Sequence, residues 1–107
     1  MTIYKSADMN SMSNAEIVML LGERFRQYRL QCRLTQEEVS AQTGISVFTI
    51  RKFETGKVVN LSLQTLLSLL RVVGQINAVD GLLPALPPNP EQKYKQTNKV
   101  KRIKHGR

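Results

Sequence analysis

The sequence predicts an all-α domain of five short helices (residues 13–83), with a flexible N-terminal arm (1–12) and a disordered, basic, proline-led C-terminal tail (84–107). Three observations predict it. Ser13 with Glu16, and Thr35 with Glu38, are capping boxes, in which each side chain satisfies an unpaired backbone N–H of the other. Gly44, Gly56 and Gly74 stand where helices end, Gly44 because the closing position favours a positive φ that only glycine adopts without penalty. Between these marks apolar residues recur three and four apart.

The arm combines Ser, Asn, Asp and scattered Met without any period, so no structure is expected in it. Ser13 opens a helix of roughly five turns. Its apolar positions are Ile17, Leu20, Leu21, Phe25 and Tyr28, and its outer side carries Glu23, Arg24, Arg26, Gln27 and Arg33. A second helix runs from Thr35 to Gly44. Ser46 caps a third, which Gly56 closes. Ile50 and Phe53 share its inner face, leaving Val47, Phe48, Thr49, Arg51 and Lys52 on the others. A short capped helix whose open side mixes polar, basic and apolar groups suits a DNA major groove. An ordinary helical hairpin inside an all-α core would show the same caps.

After Gly56, the valines of Lys57-Val58-Val59-Asn60-Leu61 argue against a purely solvated turn. Ser62 or Asn60 caps a fourth helix, whose stripe is Leu63, Leu66, Leu67, Leu70 and Val73, widened by Leu69 and Val72. A helix that apolar covers one side of the domain and leaves surface for a second chain. Gly74 breaks it, and Ile76, Val79, Leu82 and Leu83 supply a short fifth helix. Prolines 84, 87, 88 and 90 force an extended segment. Beyond Glu91 the chain is polar and basic, with too few apolar groups to offset its ordering entropy.

Composition narrows the functions. A chain of 107 residues with 41% hydrophobic content and no tryptophan affords one small core. No apolar run approaches the roughly 18 residues that cross a bilayer, and the first dozen residues lack the order of a signal peptide. The single cysteine, Cys32, excludes an internal disulfide and a four-cysteine metal site. A cytoplasmic location is expected. Net charge is +8, and residues 84–107 hold seven of the sixteen basic residues against one of the eight acidic ones. Three quarters of the excess charge therefore lies in the tail, which points to a polyanion partner, although such a tail also serves solubility.

Catalysis is not expected. It needs positioned acid, base or nucleophile groups, and the only histidine, His105, lies in the tail. Glu37, Glu38 and Glu54 have capping or pairing roles. No metal-ligand spacing or glycine-rich phosphate loop appears, so neither metal nor cofactor is expected.

The order Leu21-Gly22-Glu23-Arg24-Phe25, Arg29, Leu34-Thr35-Gln36-Glu37-Glu38-Val39, Gly44-Ile45-Ser46, Thr49-Ile50, Phe53-Glu54 and Gly56 resembles the Cro/C1-type (XRE) helix-turn-helix repressors over roughly residues 17–74. The resemblance implies a lambda-repressor-like DNA-binding domain. The helix from Thr35 would cross the DNA backbone and the helix from Ser46 would enter the major groove. By position, Val47, Phe48 and Lys52 would contact base edges, with Thr49 close to the strand. Phe48 is unusual where the family often places a polar group. It can pack on a thymine methyl, or be a partly buried aromatic or a dimer contact. Gln36 and Ser46 match phosphate-binding positions, with Arg51 and Lys57 as neighbours. Arg29 and Glu54 correspond to a structural ion pair. Ser40 departs from the usual alanine and brings a hydroxyl that needs a partner.

The order Leu61-Ser62-Leu63-Gln64-Thr65-Leu66, Arg71-Val72-Val73-Gly74 and Gly81-Leu82-Leu83-Pro84, with the basic tail, is similar to HipB-type antitoxins and related regulators encoded beside a kinase-like (HipA-type) toxin. It implies a homodimer repressing transcription from a palindromic double-stranded DNA operator, and a toxin partner. Two other readings use the same residues. One is an interaction protein that neutralises the toxin, with DNA binding as feedback. The other is an RNA-associated module, which stacking aromatics would support, but Tyr94 is the tail's only one.

Overall fold

A computed structural model describes residues 8–57 and 60–88. They form five α-helices: α1 (Asn14–Gln31), α2 (Gln36–Thr43), α3 (Val47–Glu54), α4 (Leu63–Val72) and α5 (Ala78–Leu82), with no strand among them. Both capping boxes close in both directions, Ser13 with Glu16 and Thr35 with Glu38. Ser46 and Ser62 accept from the N–H groups of Thr49 and Thr65, so Ser62 rather than Asn60 starts α4.

Part of the expected arm is ordered. Asp8 accepts from the Asn10 N–H and starts a 3-10 turn over Met9–Ser11, which leads into the Ser13 cap. Residues 1–7 and 89–107, with Val58 and Val59, lie outside the described residues. Residues 83–88 are exposed and carry no helix.

The core is one cluster: Phe25 from α1, Val39 from α2, Ile50 and Phe53 from α3, and Leu69 and Val73 from the end of α4. Helices α1 and α2 each pack on α3, and α2 also packs on α4. The rings of Phe25 and Phe53 lie 5.8 Å apart and tilted by 39°, where their quadrupoles attract. Val18, Leu34, Ile45, Leu61 and Leu66 pack around them half-buried.

Two stripes differ from the sequence expectation. On α1, Leu21 and Tyr28 are exposed while Leu20 and Phe25 are buried. On α4, Leu69 is fully buried, whereas Leu63 is 64% exposed. The helix is apolar at six of its ten positions and is followed by Val73, so periodicity alone does not choose which of them faces inward. Leu21 and Tyr28 are not isolated: with the half-buried Leu66 and Leu70 and with Ala78 they line one apolar groove between α1, α4 and α5, which Leu63 does not join. In α5 no side chain caps the first turn, and Leu82 is exposed.

Helix α1 ends without glycine. The Arg33 N–H donates to the Leu30 carbonyl and the Leu34 N–H to the Arg29 carbonyl, which is the paired closing motif of a helix C-terminus. The same two bonds close α3 at Gly56 and α4 at Gly74. At Arg33 the motif imposes a φ of 60° on a residue with a Cβ. Relief of that left-handed strain exceeds the extra chain entropy of glycine, so Arg33→Gly is expected to stabilise the domain by about 0.5–1 kcal/mol. Thermal unfolding reads this as a raised midpoint, and an unchanged or lower one would contradict the strain.

Candidate nucleic-acid interface

Helix α3 is built so that its inner side cannot rotate outward. Ile50, Phe53 and Glu54 are buried, which fixes the other side toward solvent. On that side Arg51 is exposed, Val47, Thr49 and Lys52 are half-buried, and Phe48 is 62% exposed. The Phe48 ring is therefore no part of the core, and its surface remains for a partner. Lys52 Nζ lies over that ring, 4.9 Å from its centroid.

The turn from α2 into α3 sets the angle at which this face is presented. Gly44 adopts a φ of 80°, and its N–H closes α2 on the Ser40 carbonyl. Thr43 adds two bonds, donating its hydroxyl to the Val39 carbonyl and accepting from the Ile45 N–H. Ser46 follows as the cap of α3, and its hydroxyl also donates to Thr49 Oγ1 at 3.0 Å.

One ion pair ties three helices together behind the face. Arg29 Nε donates to Glu54 Oε2 at 2.6 Å and Arg29 Nη2 to Glu54 Oε1 at 2.8 Å, with both residues buried. Arg29 Nη1 also donates to the Leu34 carbonyl, and Gln36 Nε2 donates to Glu54 Oε1 at 3.0 Å. The fork geometry and the extra bonds are what a buried charge pair needs. The hydrogen bond to Glu54 raises the Arg29 guanidinium above its ordinary value against the opposing effect of burial, with the charges of Glu54 and Glu37 adding to the rise. Among the described residues no buried side-chain nitrogen or oxygen is left without a partner.

The phosphate candidates divide. Gln36 opens α2 and Ser46 caps α3, but both side chains already bond within the fold. What remains at these two helix starts is backbone: the first two N–H groups of a helix have no intrahelical acceptor, and both starts favour an anion. Arg51 and Lys57 are exposed, one on the outer side of α3 and one just past Gly56. Glu37, in the first turn of α2, opposes an anion there. Sequence reasoning missed the Gln36–Glu54 bond and the Lys52–Phe48 contact. Only the second left a signal, since residues four apart share a helix face.

Among the described residues no group of three His, Cys, Asp or Glu could hold a metal ion, and no helix is long and apolar enough to cross a membrane. A helix-turn-helix domain model matches residues 20–77, more than half of the chain, spanning the second turn of α1 through to the start of α5. No curated protein matches the chain. The five-helix arrangement agrees with a lambda-repressor-like fold, and a two-helix turn with a capped, outward-facing second helix occupies the centre of the matched region. The chain belongs to the helix-turn-helix domain family of DNA-binding regulators.

Proposed function

We propose that this chain is a sequence-specific transcriptional repressor of the Cro/C1 (XRE) type, binding a palindromic operator in double-stranded DNA as a two-fold homodimer. The observation that carries the reading is the outward side of α3, where an exposed aromatic ring, a basic group and a half-buried valine stand on a helix whose other side is locked in the core. In this account α3 enters the major groove. Val47 and Phe48 pack on thymine methyls, Lys52 donates to guanine acceptors, and Thr49, whose Oγ1 accepts from Ser46, uses its own proton toward the strand. Gln36 and Ser46 meet phosphates through the helix starts they occupy, while Arg51 and Lys57 meet them as charges. The groove lined by Leu21, Tyr28, Leu66 and Leu70 supports a second copy as the dimer partner.

An antitoxin role, with a kinase-like toxin as partner and autoregulation of their operon, rests on the order of residues after Gly56 and on the proline-led basic tail. Neutralising such a toxin would then be the second use of the same dimer.

Selection from random duplexes, followed by binding of the winner at two salt concentrations, tests the repressor reading. Affinity should fall steeply with salt as phosphate contacts release counterions. Lys52→Ala should relax preference at one position per half-site, by about 1–3 kcal/mol. An equal loss on every sequence would make Lys52 a phosphate contact instead.

A further inference from the structure

Lys52 sits four residues after Phe48, on the same side of α3, with its ammonium 4.9 Å from the ring centroid. Among the described residues no carboxylate lies within ion-pair distance of it. That arrangement differs from a salt bridge in a way that matters for recognition. A carboxylate would neutralise the ammonium and occupy its N–H groups. The face of an aromatic ring attracts the charge and restricts the flexible stem, yet it accepts no conventional hydrogen bond. All three donors stay free, and less freedom is lost when they engage a base.

Building on the reading of α3 as the DNA-contacting helix, we propose that Phe48 and Lys52 read two neighbouring base pairs as one unit. The ring packs on a thymine methyl and steers the Lys52 ammonium onto the N7 and O6 acceptors of a guanine in the adjacent pair. The dimensions agree. Base pairs stack about 3.4 Å apart, and two steps span about 6.8 Å. The ammonium lies 4.9 Å from the ring centroid, enough for one step with a sideways offset and short of two. Phe48 is then a positioning residue for Lys52 as well as a contact to DNA. It sets specificity at a base it does not touch.

The duplex preferred by the full chain is the probe, altered at single atoms. Uracil in place of the thymine removes only the methyl, and 7-deazaguanine removes only the N7 acceptor. The unaltered protein should lose roughly fourfold on uracil and roughly tenfold on 7-deazaguanine. Lys52→Ala should be indifferent to the second change. Phe48→Leu keeps an apolar contact for the methyl but lacks the ring face, so its discrimination at the guanine should weaken roughly two- to fivefold. Phe48→Tyr should restore it. Full guanine discrimination in Phe48→Leu, or a methyl-sensitive position not adjacent to the guanine, would overturn the pairing while leaving the DNA reading in place. A protein with no preferred duplex would overturn both. Phe48 is exposed, so these variants keep the fold, which far-UV circular dichroism verifies.

Discussion

A Gly22→Ala protein is expected to lose its cooperative thermal transition. Gly22 lies inside α1, where glycine costs about 1 kcal/mol relative to alanine, so helix propensity alone would favour the change. Packing outweighs that preference. A Cβ built on Gly22 would lie 1.8 Å from the carbonyl oxygen of Phe53 and 2.8 Å from its carbonyl carbon. Both atoms are backbone and cannot rotate away. To restore van der Waals distance, α1 and α3 must separate by more than about 1 Å. That separation would open the contact between the Phe25 and Phe53 rings and strain the Arg29–Glu54 bonds. Overpacking by a flexible side chain costs about 1–3 kcal/mol, and a clash with fixed backbone costs more. A small domain has about 5 kcal/mol to lose. Circular dichroism during heating and urea titration checks this, and a midpoint equal to that of the parent chain would contradict the close approach.

The second large effect is expected from Glu54→Ala. Removing the carboxylate leaves the Arg29 guanidinium buried with one bond, to the Leu34 carbonyl, and deprives Gln36 of its acceptor. Breaking a buried pair from one side costs about 3–5 kcal/mol, because the remaining charge is uncompensated. The pair itself is worth far less than that. Replacing both partners by apolar groups, as in Arg29→Met with Glu54→Leu, should recover much of the loss. Recovery should stop short of complete, since the Leu34 carbonyl also loses its donor. Denaturant unfolding of the two single variants and the double variant measures this. A Glu54→Ala cost below about 1 kcal/mol would contradict a buried, interlocked pair.

Much of this architecture is legible in the sequence because the signals are local. Ser13, Thr35, Ser46 and Ser62 act within three residues of themselves, so their caps can be read without knowing the tertiary fold. Arg33 shows the limit. The end of α1 uses the same closing bonds as α3 and α4, but without glycine nothing in the sequence marks it. Leu63 and Leu69 show another. Both belong to an apolar helix, and only packing against α2 and into the core cluster decides that Leu69 is buried and Leu63 is not. Glu54 became a partner for Arg29 through family resemblance, since twenty-five residues separate them. Its second partner, Gln36, depends on how α2 crosses α3, which no local pattern encodes.

Competition between duplexes tests the central claim, that the outer side of α3 reads base edges. The selected duplex and a scrambled one of equal length and charge are titrated against each other, first for the parent chain and then for a variant with Val47, Phe48 and Lys52 changed to alanine. The account predicts that the parent prefers the selected duplex by at least about a thousandfold. It also predicts that the variant, still folded, retains the salt-dependent affinity for any duplex but not the preference. Equal competition by the scrambled duplex against the parent chain, or an undiminished preference in the variant, would contradict it.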